Sequence, residues 1–239
     1  IVIVNNTSAY TGLLGLVSSK LMNKKLLVEY NDLQALYTVE LLKGRLNESL
    51  LKPLGRLLVS IEDVIVKNGW KVTAITGFIK RYAEERGTRR DITVIPDGVD
   101  TDFFNPSGFD RREIRSKYGI RDEEILCVYA GRIDICAGGE LLVETVDLLD
   151  HRNIRFMLVG EGDPSLLKEC CRRPNVILTG LVAREDVPRY LVAADIILVP
   201  FPDNLASHSI SPLKLFEALA MEKIVIASDV SGIREVVTE

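Results

Sequence analysis

Short runs of β-branched and aliphatic residues alternate with helix-period segments along most of this chain, and that alternation leaves few architectures open. In the second half, ILCVYAG, IRFMLVG, NVILTG, DIILVP and KIVIAS each have the look of a buried strand. Each precedes a turn signal and a helical stretch such as GGELLVETVDLL or PLKLFEALAM. Strand, turn and helix in repetition are the signature of βα units that build a parallel sheet. The sequence therefore predicts a five-stranded Rossmann-like domain in the second half. IVIV, KLLVE, KVTAI and ITVIP are the corresponding strands of the first half, separated by longer helical stretches, and that half is expected to be incomplete.

Between the halves lies PDGVDTDFFNPSG, rich in Pro, Gly, Asp and Asn and without helical period, so it reads as a linker. The boundary is placed near Asn105, giving domains over residues 1–105 and 106–239, a sensible division of 239 residues. The chain opens without Met on a run resembling an internal strand, and it stops at GIREVVTE shortly after the last strand. Further segments are expected at both ends.

Composition narrows the function classes. With 47% hydrophobic and 27% charged residues the chain has the make-up of a globular protein. Its net charge of −4 lacks the basic excess of a general nucleic-acid binder, so nucleic acid is not an expected partner. Residues 1–105 carry 14 basic and 12 acidic side chains and residues 106–239 carry 16 and 22, a mildly basic first half that fits an anionic acceptor or membrane surface, although ordinary solvated surface accounts for so small a difference. Cys127, Cys136, Cys170 and Cys171 match neither a zinc spacing nor a disulfide framework, which fits a reducing, cytosolic setting. No apolar run reaches the ~20 residues of a membrane span, and IVIVNNTSAY is not built like a signal peptide.

A strand that ends in Gly and feeds a helix aims backbone N–H groups at a crevice, where free donors and the helix dipole favour phosphate. YAGRI sets Arg132 just past such a strand, where its guanidinium can clamp a diphosphate or form an ordinary surface salt bridge. LVGEGDP supplies a second Gly-rich strand end, fit to line a ligand or merely to turn. In HSISPLKLFEALAM, Pro212 is placed to open a helix, because a missing N–H costs nothing at the first helical position. The N–H groups around Leu213 to Leu215 then offer a phosphate cradle and Lys214 adds charge. Glu217, a pure acceptor with two oxygens, suits the two hydroxyls of a ribose. A solvated Lys214–Glu217 pair on an amphipathic helix fits the same letters.

Taken in order, VIPDGVDTDFFNP, GR, LVGEGDP and SPLKLFEALAMEKIVIASDVSGIREVV resemble the large retaining glycosyltransferase family of the GT-B fold, group 1 or family four, which includes sucrose, mannosyl and lipopolysaccharide-core transferases. The likeness covers nearly the whole chain and is most specific from Pro96 to Val237. It implies an α/β GT-B architecture, two Rossmann-like domains whose parallel sheets face a central cleft. It implies a UDP- or GDP-sugar donor bound mainly by the second domain, a glycan or lipid acceptor held by the first, and transfer with retained configuration. By position, Arg132 resembles the diphosphate-binding arginine, and Glu217 resembles the second glutamate of the family's Glu-x7-Glu motif, which holds the ribose. Glu161 and Gly162 fall at the donor, Pro212, Leu213 and Leu215 beside the phosphates, and Gly180 and Leu181 at the nucleobase. Neither a metal nor a cofactor is expected, because the chemistry asked of such a site is electrostatic stabilisation of a leaving diphosphate.

Three positions depart from the family pattern. Ala137 stands where a lysine usually follows the arginine, and Lys214 is the candidate substitute. Ser209 occupies the place of the first glutamate of Glu-x7-Glu, as is common in members carrying SPLK. The first half contains no histidine, His151 and His208 both falling in the second, and Asn5 and Asn6 align near where many members have one. No catalytic residue is assigned. These departures keep a second reading open, a non-catalytic relative or partner subunit, and the shared architecture keeps a third, a sugar-nucleotide epimerase. Finally, Leu46, Leu50, Leu54, Leu57, Leu58, Ile61 and Ile65 recur at helical spacing from Lys43 to Lys67, with Lys43, Arg45, Lys52 and Arg56 near the start. This predicts an amphipathic helix packed on the sheet, with peripheral membrane contact as its alternative role.

Overall fold

In the computed structural model, which describes residues 1–149 and 153–237, all nine expected strands form and every pairing between them is parallel. In the first sheet β1 (Val2–Asn5), β2 (Leu26–Tyr30), β3 (Lys71–Ala74) and β4 (Ile92–Val94) lie in chain order. The second contains β5 (Ile125–Ala130), β6 (Ile154–Val159), β7 (Val176–Gly180), β8 (Ile196–Val199) and β9 (Ile224–Ala227), in the order β7-β6-β5-β8-β9. That order reverses direction at β5, and the crevice outside the strand ends there is where open α/β sheets take ligands. Helices cover the central strands on both faces, so β5, β6 and β8 are buried almost continuously instead of at alternate residues.

Contacts divide the chain into two compact units. One holds Ile1–Asp97 with Asp203–Ser211 and Asp229–Glu239; the other holds Gly98–Pro202 with Pro212–Ser228. The division thus falls at Asp97, where the sequence suggested Asn105, and two later segments group with the first unit because they pack on its helices. His208 goes with them, so that unit does carry a histidine; His151 lies outside the described residues. The first core gathers Val28, Leu33, Ile65, Val72 and Ile79, and the second Tyr129, Ile133, Leu142, Phe156 and Leu158. Each such side chain contributes about 1.5–3 kcal/mol by leaving water.

The helix expected from Lys43 to Lys67 starts later, at Glu48, and runs to Asn68. Gly44 takes a left-handed turn with φ of 74°, and Asn47 caps the new helix by accepting the Ser49 N–H at 3.0 Å. A shorter helix, Gln34–Leu42, precedes the break. The long helix buries Leu51, Ile65 and Val66 and leaves Leu50 and Leu57 exposed. The helix Gly77–Glu85 starts behind a Thr76 cap, and its Gly77 and Phe78 N–H groups donate to the Glu235 carboxylate at 2.6 and 2.9 Å. A carboxylate there meets the positive end of the helix and satisfies two donors that have no partner within it. No described helix is long and apolar enough to cross a membrane.

Candidate functional site

The loops that leave β5, β6 and β7 are laced together by their backbones. Gly131 N–H donates to Val159 O at 2.9 Å, Ile133 N–H to Glu161 O at 3.0 Å, and Gly160 N–H to Gly180 O at 3.0 Å. Two glycines permit this approach. Gly160 has φ of 135°, and a Cβ there would lie 2.2 Å from Gly131 O; a Cβ on Gly162 would lie 1.9 Å from Ile133 O. Against these loops lies a cavity of about 530 Å³ lined by Phe104, Gly131, Arg132, Glu161, Gly162, Leu181, Arg184 and Glu217, among others.

Arg132 is anchored from one side only. Its Nε lies 2.7 Å from Asp134 Oδ2, while its side chain stays 75% exposed to solvent. Asp134 is buried and uses its other oxygen to accept the Ala137 N–H at 2.8 Å, so one carboxylate holds the turn and forms an ion pair with the guanidinium. Lys214 sits behind Gly131 and does not line the cavity: its Nζ donates to the Tyr129 hydroxyl at 2.8 Å and lies over the Tyr129 and Phe201 rings. Burial lowers its ammonium to about 8, a shift that Asp134 and Glu217 oppose. Glu217 is half-buried on the cavity wall; burial raises its carboxyl, and the Arg184 and Lys214 cations pull it back.

Of the residues the sequence singled out, Arg132, Glu161, Gly162, Leu181 and Glu217 therefore share one cavity. The others are placed differently. Pro212 is the cap that precedes the helix Leu213–Ala220, not its first residue, because its ψ of 112° is extended. Leu215 N–H donates to Pro212 O at 2.9 Å and is no free donor, and the Leu215 side chain is buried in the core. Leu213 is exposed. Gly180, with φ of 70°, holds the β7 turn through its carbonyl. Ser209 belongs to the first unit, buried, with its hydroxyl donating to Ala206 O at 2.7 Å. Sequence reasoning missed Arg184 and Phe104. Arg184 sits in a short 3₁₀ turn with its guanidinium over the Phe103 ring, and Phe104 is a buried aromatic within the supposed linker. The adjacent phenylalanines of DTDFFNP, apolar in a polar stretch, were the available signal.

The strand ends of the first unit are built otherwise. Asn6, past the end of β1, has φ of 72°, and Asn31 donates to Asn5 Oδ1 at 2.9 Å. Beneath them Glu62 is 2% exposed, and it accepts the Thr7 hydroxyl at 2.7 Å. Burial raises its carboxyl to about 7 and that of neighbouring Asp32 to about 6. The opening between Thr7, Ser8, Gln34 and Thr38 measures only about 150 Å³.

Apart from Phe104, the residues lining this cavity fall within the part of the chain that matches a known family. Residues 124–239 match the family described as Glycosyl transferases group 1. The chain is 30% identical over 162 residues to a D-inositol 3-phosphate glycosyltransferase of Xylanimonas cellulosilytica, covering 62% of this chain and 37% of that one. It is 27% identical over 177 residues to the GDP-mannose-dependent alpha-(1-6)-phosphatidylinositol monomannoside mannosyltransferase of Mycobacterium tuberculosis, covering 70% and 46%. The chain thus spans less than half the length of these relatives. Its fold is that of GT-B glycosyltransferases: the crystal structure of Anabaena HepE in complex with UDP-glucose superposes with a TM-score of 0.73 at 18% identity, over 100% of this chain and 62% of HepE.

Proposed function

We propose that this chain carries the donor-binding domain, its second unit, and part of the acceptor-side domain of a retaining hexosyltransferase that moves a sugar from UDP or GDP to a glycan or lipid acceptor. The observation that carries this reading is the cavity at the ends of β5 to β7, whose wall sets a solvent-facing guanidinium, glycine backbone and the Glu217 carboxylate within one ligand-sized space. Arg132 meets the diphosphate. As the bond from the anomeric carbon to the diphosphate oxygen breaks, the electron pair goes to that oxygen and the guanidinium stabilises the charge that develops there. Lys214, one layer behind, adds a positive field without touching the ligand. Glu217 accepts from the ribose hydroxyls, and Leu181 and Phe104 provide apolar surface for the base. HepE with UDP-glucose and the GDP-mannose-dependent relative support both bases as candidates. The reaction uses no resident metal or cofactor on this reading, and Cys127, Cys136, Cys170 and Cys171, whose spacing fits no disulfide framework, support a cytosolic setting.

Ala137 favours a second reading, a relative that binds nucleotide weakly as a partner subunit, because it removes a cation from beside the diphosphate. Calorimetric titration with UDP, GDP and their sugars, with chelator present, separates the two. Saturable binding of one nucleotide is expected, with Arg132→Ala costing ~1.5–3 kcal/mol as for a charge-assisted hydrogen bond and Glu217→Ala abolishing discrimination against the 2′,3′-dideoxy analogue. No binding by any of them overturns the donor reading.

A further inference from the structure

The long amphipathic helix of the first unit plays no part in the proposed transfer, yet it forms one wall of a larger cavity, about 870 Å³. That volume lies within the ~300–1,000 Å³ typical of small-molecule sites. Its body is apolar: Leu36 and Val39 from the helix Gln34–Leu42, Leu46 from the following loop, Leu51 and Val59 from the helix Glu48–Asn68, and Leu205. Its charged lining residues are Lys43, Lys52, Arg56 and Arg86, against Glu48 as the one acid among those described.

The cations are not equally engaged. Lys43 is paired with Glu40 and Arg86 with Asp63, each at 2.7 Å. Lys52 reaches Glu48 only at 3.7 Å, both side chains being largely exposed, and a pair of that kind holds its partner weakly. Arg56 has no carboxylate partner among the described residues. Lys52 and Arg56 are one helical turn apart, so they share a face of the helix, and both line the cavity. An uncommitted guanidinium beside an ammonium matches the forked geometry of a phosphate, and the apolar body behind them matches a hydrocarbon chain.

We infer that this cavity binds a single-chain lipid bearing a phosphate, taken up as a monomer, with the chain among Leu36, Val39, Leu51 and Val59 and the phosphate on Arg56 and Lys52. The cations select the phosphate; the cavity selects one chain in place of a bilayer surface. This site lies wholly in the first unit and is independent of whether the second unit takes a nucleotide.

The test is calorimetric titration of the chain with dodecyl phosphate below its critical micelle concentration, alongside dodecyl maltoside and inorganic phosphate. One-to-one binding of dodecyl phosphate is expected, at least tenfold tighter than either control. Arg56→Glu, a change at an exposed position, is expected to weaken it at least tenfold, and Val59→Trp to block it by filling the cavity while circular dichroism stays unchanged. Should Val59→Trp unfold, the Arg56→Glu result decides. Equal binding of the maltoside, equal binding of inorganic phosphate, or an Arg56→Glu variant that binds like the parent overturns the proposal. So does association only with anionic vesicles, which would make the helix a membrane surface, or a dimer in solution that leaves the cavity closed to all three probes.

Discussion

The two units share parallel strand physics but finish their strand ends in opposite ways. In the second, glycines at 160 and 162 let three loops bind each other through backbone alone, and the side chains are left free to face an open cavity. In the first, the side chains do the joining: Thr7 on the carboxylate of Glu62 and Asn31 on Asn5, which fills the space and traps acid groups away from water. Sheet topology marks where a crevice can lie, and the loop residues decide whether it stays open.

The largest effect should come from spoiling the glycine lacing. Gly162→Ala forces a Cβ into the Ile133 carbonyl, backbone against backbone, and is expected to cost on the order of 3 kcal/mol or more in urea denaturation. Gly98→Ala, with open space around it, should stay within ~0.5 kcal/mol. Equal losses at both positions would break the contrast.

Glu62 tests the other style of closure. Its folded carboxyl titrates near 7 against an ordinary 4.5, so between those values the folded chain holds a proton that the unfolded chain has released. Stability therefore falls as pH rises from 4.5 to 7 and is level above, by about 3 kcal/mol at most for this group. Glu62→Gln is expected to stabilise the chain by about 1–3 kcal/mol at pH 8 and by nothing at pH 4.5. A loss at pH 8 would mean that the ionised carboxylate is holding the loops in place.

Smaller effects belong to the cations of the second unit. Lys214 loses its charge as pH passes about 8, so nucleotide affinity should weaken by on the order of 1 kcal/mol between pH 7 and 9, and Lys214→Met should remove that slope. Stability runs the other way from pH 8 to 10.5, because the unfolded chain keeps the proton longer. Ala137→Lys, placing a second cation near the Arg132 turn, should tighten nucleotide binding by no more than ~1 kcal/mol, since that surface is solvated.

The strands were readable because burial on both faces writes continuous apolar runs such as ILCVYA and IRFMLV into the sequence. The break at residues 43–47 was also written, in Gly44 and the capping Asn47, but the leucine period running across it hid the signal. Arg132, Glu161, Gly162, Leu181 and Glu217 came together because each follows a strand end or sits on the first turns of a helix, where topology dictates position. Arg184 escaped notice because an arginine in a polar turn resembles any solvated charge until a cavity lies beside it. The return of Asp203–Ser211 to the first unit was not readable at all, since it depends on contacts made across more than a hundred residues, such as Thr76 to the Ser209 carbonyl.

The carboxylate of Glu235 on the Gly77 and Phe78 amides carries a consequence for how the chain is made. These partners are separated by 158 and 157 residues, and closing so long a loop is slow relative to local contacts. During synthesis from the N-terminus, the helix Gly77–Glu85 emerges long before the residue that satisfies its first donors. The first unit therefore waits for this cap until Glu235 is made, by which time β5 to β9 of the second unit have all emerged and can pair.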